Sequence, residues 1–146
     1  MRIVCLIISI ALVLTGTSAF SQQKVVDIDA LVLQNNKPVL LYFHTTWCVY
    51  CAMQSKSLKN KNREEKLAER YNFIDFDAES DQIVKYNKRT FRNDNPVKYQ
   101  PHPFVQSFFI NSTVGYPAWV LVDKDFNILS TYSGFLSKKQ LAQLLK

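Results

Sequence analysis

Glycine and proline are scarce in this chain of 146 residues, at 3 and 5 positions. That scarcity excludes a flexible linker or a disordered tail. With 47% hydrophobic and 21% charged residues, the composition describes one globular domain with a core of its own. Histidine occurs only as His44 and His102, neither at a customary spacing from a cysteine pair. A structural zinc site needs about four ligands, so it is left short of them. Internal repeats and low-complexity tracts are absent too. The formal net charge is +6, but its cations are scattered along helical sequence (Lys56, Lys59, Lys61, Arg63, Lys66, Arg70) and interleaved with acids. That pattern is a solvated face with a weak preference for acidic partners, and it excludes a nucleic-acid surface.

Long apolar runs are missing everywhere but at the N-terminus. Met1-Arg2 leads into the almost wholly apolar Ile3 to Leu14, and small polar residues follow up to Ala19-Phe20-Ser21. A positive start, a short apolar run and small residues describe a secretory signal peptide, residues 1–21. Cleavage after Ser21 would place Ala19 and Ser21 at the −3 and −1 positions. The other reading is an uncleaved membrane anchor, for which the run is short, since a bilayer core needs about 20 residues. On the first reading Cys5 leaves with the leader. Residues 22–146 form the mature, exported domain, periplasmic or secreted, where a disulfide can persist.

Two cysteines then remain, both in "HTTWCVYC" (44–51). A Cys-x-x-Cys pair can serve as a metal half-site, a structural disulfide or a redox-active dithiol. A purely structural bridge would close a tiny loop and constrain the unfolded chain little. Cu(I) held by Cys48, Cys51 and Met53 is open chemically, because soft sulfur ligands suit that ion.

Val25, Val26, Ile28, Leu31 and Val32 recur at helical spacing, so 25–35 is predicted to be an amphipathic helix. Asn35-Asn36-Lys37-Pro38 stops it. "VLLYFH" (39–44) is a continuous apolar run, predicted to be a strand buried on both faces. Helical sequence follows from about 49 to 59, and again in "REEKLAERY" after Asn62. "NFIDFDAE" (72–79) alternates as a strand, 82–92 is predicted as a hairpin around Asn87-Lys88, and 93–103 as loop. "FVQSFFIN" is a short helix. Residues 116–123 and 127–134 are strands joined at Lys124-Asp125-Phe126. Ser137 caps a last helix whose Leu141, Leu144 and Leu145 share a face. Helices and strands in this order give a mixed sheet covered by helices.

Four of these landmarks, in order, resemble the thioredoxin superfamily. They are "KPVLLYFHTTWCVYC", "FIDFDAE", "GYPAW" and "FLSKKQLAQLLK". The resemblance runs over nearly all of residues 22–146. The hairpin-containing insert at about 81–111 is similar to secreted bacterial thioredoxin-like proteins. The resemblance implies an α/β thioredoxin fold: a central mixed sheet flanked by helices, with the insert before a loop whose Tyr116–Pro117 bond is cis. It also implies a thiol–disulfide oxidoreductase with Cys48 and Cys51 as catalytic residues. Trp47, Val49, Tyr50, Tyr116 and Pro117 would form the substrate rim.

The chemistry follows from the position of the pair. Free N–H groups and the positive end of a helix dipole stabilise a thiolate, so Cys48 would attack and the shielded Cys51 would resolve. Val49 and Tyr50 bring no positive charge, which makes the disulfide a weaker oxidant and favours reduction or isomerisation. One departure stands out. Thioredoxins proper carry a buried Asp at the position that is Tyr42 here, and a phenol of pKa near 10 is a poor base. Asp75, Asp77 and Glu79 are the acids nearest in type. His44, two positions past Tyr42, shares its face and is expected as a packed or rim histidine.

No bound cofactor is required. The expected partners are protein thiols and disulfides, and a thioredoxin-like or membrane-embedded electron donor, in extracytoplasmic redox homeostasis. The alternative is a secreted, non-catalytic thioredoxin-fold binding module, its contact surface formed by Phe104, Phe108 and Phe109. A copper-handling protein is the minor one.

Overall fold

A computed structural model describes residues 23–110 and 112–145; the predicted leader and its cleavage point lie outside them. The elements run β1 (Val25–Asp27), α1 (Ile28–Asn35), β2 (Val39–His44), α2 (Val49–Leu58), α3 (Lys61–Arg70), β3 (Asn72–Asp77), β4 (Ile83–Tyr86), β5 (Arg89–Phe91), α4 (Pro103–Gln106), β6 (Ala118–Val122), β7 (Ile128–Ser133) and α5 (Lys138–Leu144). No described helix is long and apolar enough to cross a membrane.

β2 lies inside a four-stranded sheet of order β3-β2-β6-β7. It runs parallel to β3 (Val39↔Asn72 to His44↔Asp77) and antiparallel to β6 (Val39↔Val122 to Phe43↔Ala118). Its unbroken apolar run follows from burial on both faces. Alternation sends Val39, Leu41 and Phe43 into one core with Ile28, Phe76, Val120 and Phe104. Leu40 and Tyr42 enter the other, with Leu58, Leu67, Trp119 and Leu141 from α2, α3, β6 and α5. The mixed sheet covered by helices is thus as predicted.

The stretch 25–35 is not one helix. Val25–Asp27 form a parallel strand against β4 (Val25↔Ile83 to Asp27↔Lys85). With β5 they make a second, three-stranded sheet, β1-β4-β5. The helix starts only at Ile28, capped by Asp27, whose carboxylate accepts from Ala30 N at 3.0 Å. The helical spacing of the valines coincided with a strand whose partner lies in the insert. The hairpin forms as predicted: Asn87 and Lys88, at φ 49° and 61°, make the two-residue turn that suits the twist of its arms. Both turn N–H groups donate to the Asp29 carboxylate of α1.

"FVQSFFIN" shortens to α4, of four residues, followed by turns. Phe104 is fully buried, edge-on to Phe43, Phe76 and Phe108. Phe108 and Phe109 pack on the same core. The phenylalanines offered as a partner surface are core residues instead, because the insert folds back onto the sheet. His102, fully buried, anchors the return. Its Nδ1 accepts from Phe104 N at 3.0 Å, and its Nε2 pairs with Gln82 O at 2.9 Å. At the C-terminus Ser137 and Gln140 form a reciprocal cap, and Leu141 is buried, with Leu144 and Leu145 packed beside it.

Candidate active site

β2 ends at His44, and the turn Thr45–Cys48 delivers the cysteines to the start of α2. Cys48 is the N-cap of that helix. Cys51, one turn in, donates its N–H to Cys48 Sγ at 3.1 Å. The two are joined in a disulfide. A sulfur that already accepts a backbone N–H at a helix N-terminus is well placed to carry negative charge when the bridge opens. Cys48 keeps 8% of its surface exposed and Cys51 2%. The order is the one expected, but Cys48 is more covered than the sequence implies, because the bridge itself shields each sulfur.

Behind the pair sits Tyr42. Its hydroxyl donates to Cys51 O at 3.0 Å and shares a hydrogen bond with Ser55 Oγ at 3.2 Å. Burial raises its pKa, with Asp75 adding to the rise and Ser55 opposing it. The phenol therefore stays protonated and acts as a hydrogen-bond donor behind the disulfide. His44 stacks on Tyr42 at 5.6 Å between centroids and pairs with Asp75 through Nε2 at 2.9 Å. Burial pushes the His44 pKa down. The Asp75 hydrogen bond and charge, with Asp77, outweigh it and leave the pKa raised.

In front of the pair the surface is aromatic. Trp47 donates Nε1 to Glu79 Oε1 at 2.9 Å, and the same oxygen accepts from Tyr99 N. The Trp47 ring meets Tyr99 and Tyr116 edge-on, at 5.1 and 6.2 Å. The Tyr116–Pro117 bond is cis, and the pairing Phe43↔Ala118 brings Pro117 beside the end of β2. Val49 and Tyr50, in the first turn of α2, are exposed, as is Met53. Burial, then the charges of Glu79 and Asp77, push the Tyr116 phenol up to about 12. Its buried hydroxyl has no hydrogen-bond partner among the described residues. A cleft of about 710 Å³ opens between Trp47, Tyr116 and the insert.

Sequence reasoning had placed Trp47 and Tyr116 near the pair. It had not joined them to Tyr99, nor given Glu79 a role beyond a spare acid. An aromatic in a loop 51 positions after Cys48 carries no signal of its own. Among the described residues no group of three or more His, Cys, Asp and Glu side chains is clustered as metal ligands.

A dithiol capping a helix beside a cis-proline loop, on a four-stranded mixed sheet, defines a thioredoxin-fold protein with a disulfide-capable pair. The chain belongs to the thioredoxin-like domain family, which it matches over residues 28–146. No curated protein matches its sequence. Solved structures with the same fold include the disulphide isomerase from Xylella fastidiosa Temecula1, at 19% identity over 80% of this chain and 82% of that one, TM-score 0.57. A thioredoxin-fold protein from Helicobacter pylori has 21% identity, covering 86% and 73%, TM-score 0.56. A thioredoxin from Thermus thermophilus has 15% identity, covering 84% of each chain, TM-score 0.55. At these identities the likeness is one of fold.

Proposed function

We propose that this protein is an extracytoplasmic thiol–disulfide oxidoreductase acting on protein substrates, in the reducing or isomerising direction. The observation that carries the reading is the Cys48–Cys51 disulfide at the N-terminus of α2, with Cys51 N–H already donating to Cys48 Sγ. In the reduced protein the Cys48 thiolate attacks one sulfur of a substrate disulfide, and the other leaves as a thiolate. Cys51 then attacks Cys48 Sγ, releasing the second substrate thiol. The substrate gains two electrons and the pair returns to the disulfide. Trp47, Val49, Tyr50, Tyr116 and Pro117 form the rim that meets the substrate. Export rests on the residue pattern of 1–21. Outside the cytosol the electrons come from a membrane-embedded or thioredoxin-like donor.

The reduction potential tests the direction. Equilibration with glutathione buffers is expected to give about −200 to −270 mV, on the thioredoxin or glutaredoxin side. A value near −120 mV would make the protein a disulfide donor. A Cys48→Ser protein that keeps its full biological effect would hand the case to a non-catalytic binding module.

A further inference from the structure

The four-stranded sheet has two edges, and they are finished differently. β3, at one edge, carries Asp75 and Asp77, charges of the kind that keep an edge from pairing with another chain. β7, at the other, reads Ile-Leu-Ser-Thr-Tyr-Ser (128–133), with no charge, no proline and no glycine. All six residues are exposed, and Leu129 is 58% so. Among the described residues no strand lies beyond β7. One bulge, at Leu129, interrupts its pairing with β6, and Ser130–Ser133 run in regular register (Leu121↔Ser130 to Ala118↔Ser133). Gly134 N donates to Pro117 O at 2.7 Å, which continues that register by one pair. Bonded and non-bonded pairs alternate along an antiparallel ladder. Tyr132 and Ser130 therefore bond to β6, and the N–H and C=O of Thr131 and Ser133 point outward from the sheet.

We propose that β7 is a dimer interface. A second copy of the chain pairs its own β7 antiparallel to the first across a two-fold axis, joining two four-stranded sheets into one. The outward groups fix the register, with the axis at Thr131. There each Thr131 N–H donates to the Thr131 carbonyl of the other copy, so groups that β6 leaves free satisfy one another. Ser133 then lies across from Leu129, and Tyr132 across from Ser130. The occupant is a second copy because the strand is complementary to itself. In a two-fold pairing a charge near the axis meets its like, and β7 has none. Ser130 and Tyr132 line an apolar groove of about 280 Å³ together with Leu40, Trp119, Leu121 and Leu136. The added strand brings a second Tyr132 to that face and covers apolar surface now open to water. The inference goes beyond the exchange reading and stands without it, since no part of it depends on the cysteines.

Sedimentation velocity on the full chain, over about 1 to 300 μM, reads the association. The wild type is expected to pass from monomer to dimer within that range. Two single variants, Thr131→Lys and Thr131→Glu, set like charges against each other at the axis. Both are expected to keep the wild-type urea midpoint, because Thr131 is exposed, and each alone to associate at least about 10-fold more weakly. Mixed one to one, they set Lys against Glu, and the dimer is expected to return. Amide exchange followed by NMR gives an independent reading on the wild type. The Thr131 N–H should exchange more slowly as concentration rises, because the second copy then holds it. A wild type that stays monomeric, a dimer that survives both charged variants, or a mixture that stays monomeric would overturn the interface. Thr131 exchange that is indifferent to concentration would overturn it as well. Should either variant fail to fold, the exchange of the wild type decides alone.

Discussion

The two flanks of the Cys48–Cys51 turn are built on opposite rules. The rear flank is closed: Tyr42 is fully buried between β2, Trp119 and α2, and its one hydroxyl is committed to Cys51 and Ser55. The front flank is open: Trp47, Tyr99 and Ile110 face a cleft, and the Tyr116 hydroxyl is left uncommitted. A closed, satisfied flank holds the geometry of the reacting pair. An open one keeps aromatic and apolar surface exposed beside the pair. The difference teaches where stability and specificity are divided in this fold, and it can be broken from either side.

The largest effect on folding is expected at the rear. Tyr42→Ala removes a buried ring from the smaller core and should cost about 3–5 kcal/mol, read as a lower midpoint in urea denaturation. Tyr42→Phe keeps the packing and leaves Cys51 O and Ser55 without their partner, at a cost of about 1 kcal/mol. At the front, Tyr99→Ala should change stability by no more than about 0.5 kcal/mol, because the ring is mostly solvent-exposed. Equal losses at Tyr42 and Tyr99 would erase the distinction.

The two histidines sharpen the same contrast through pH. His44, at the rear, has a raised pKa in the fold, so its contribution is complete below the unfolded value near 6.5 and is lost as pH rises through the folded value above it. His102, where the insert returns to the sheet, is held neutral: burial lowers its pKa, against the opposing bond to Gln82, and protonation would set a second N–H against Phe104 N. Its contribution is complete above about 6.5 and is lost as pH falls. The wild type should therefore show a flattened profile between about pH 5 and 8. His44→Asn should expose the acid loss due to His102, as a melting temperature that falls more steeply on acidification. The exposed partner Asp75 keeps the His44 share small.

Glu79→Ala is expected to cost the fold about 0.5–1.5 kcal/mol for the hydrogen bonds it releases, less than Tyr42→Ala and more than Tyr99→Ala. It should also slow the reduction of a disulfide-bearing peptide, because Trp47 loses its anchor at the proposed substrate rim. Peptide kinetics on the variant would check it.

Much of this was legible in the chain. "VLLYFH" is a doubly buried strand because no polar residue interrupts it. Ser137 announces the last helix because capping is local. The Cys-x-x-Cys turn and the Tyr-Pro bond were read through a family resemblance, and the pair closed and the bond cis agree with it. Val25–Asp27 misled because a three-residue strand carries almost no periodicity, and its partner, β4, lies far along the chain. Tyr99 escaped notice, and Glu79 was named only as a spare acid, for a related reason: a cleft is a meeting of loops, and no spacing within one loop encodes it.

By itself the sequence determined which residues are apolar, where helices are capped, and that two thiols stand three positions apart at a helix start. These depend on neighbours within a turn or two, where backbone geometry leaves few choices. Only the tertiary structure decided that Tyr42 backs Cys51, that β1 pairs with the insert, and that one carboxylate joins Trp47 to Tyr99. Those contacts are made across the sheet, between residues whose distance along the chain says nothing of their distance in space.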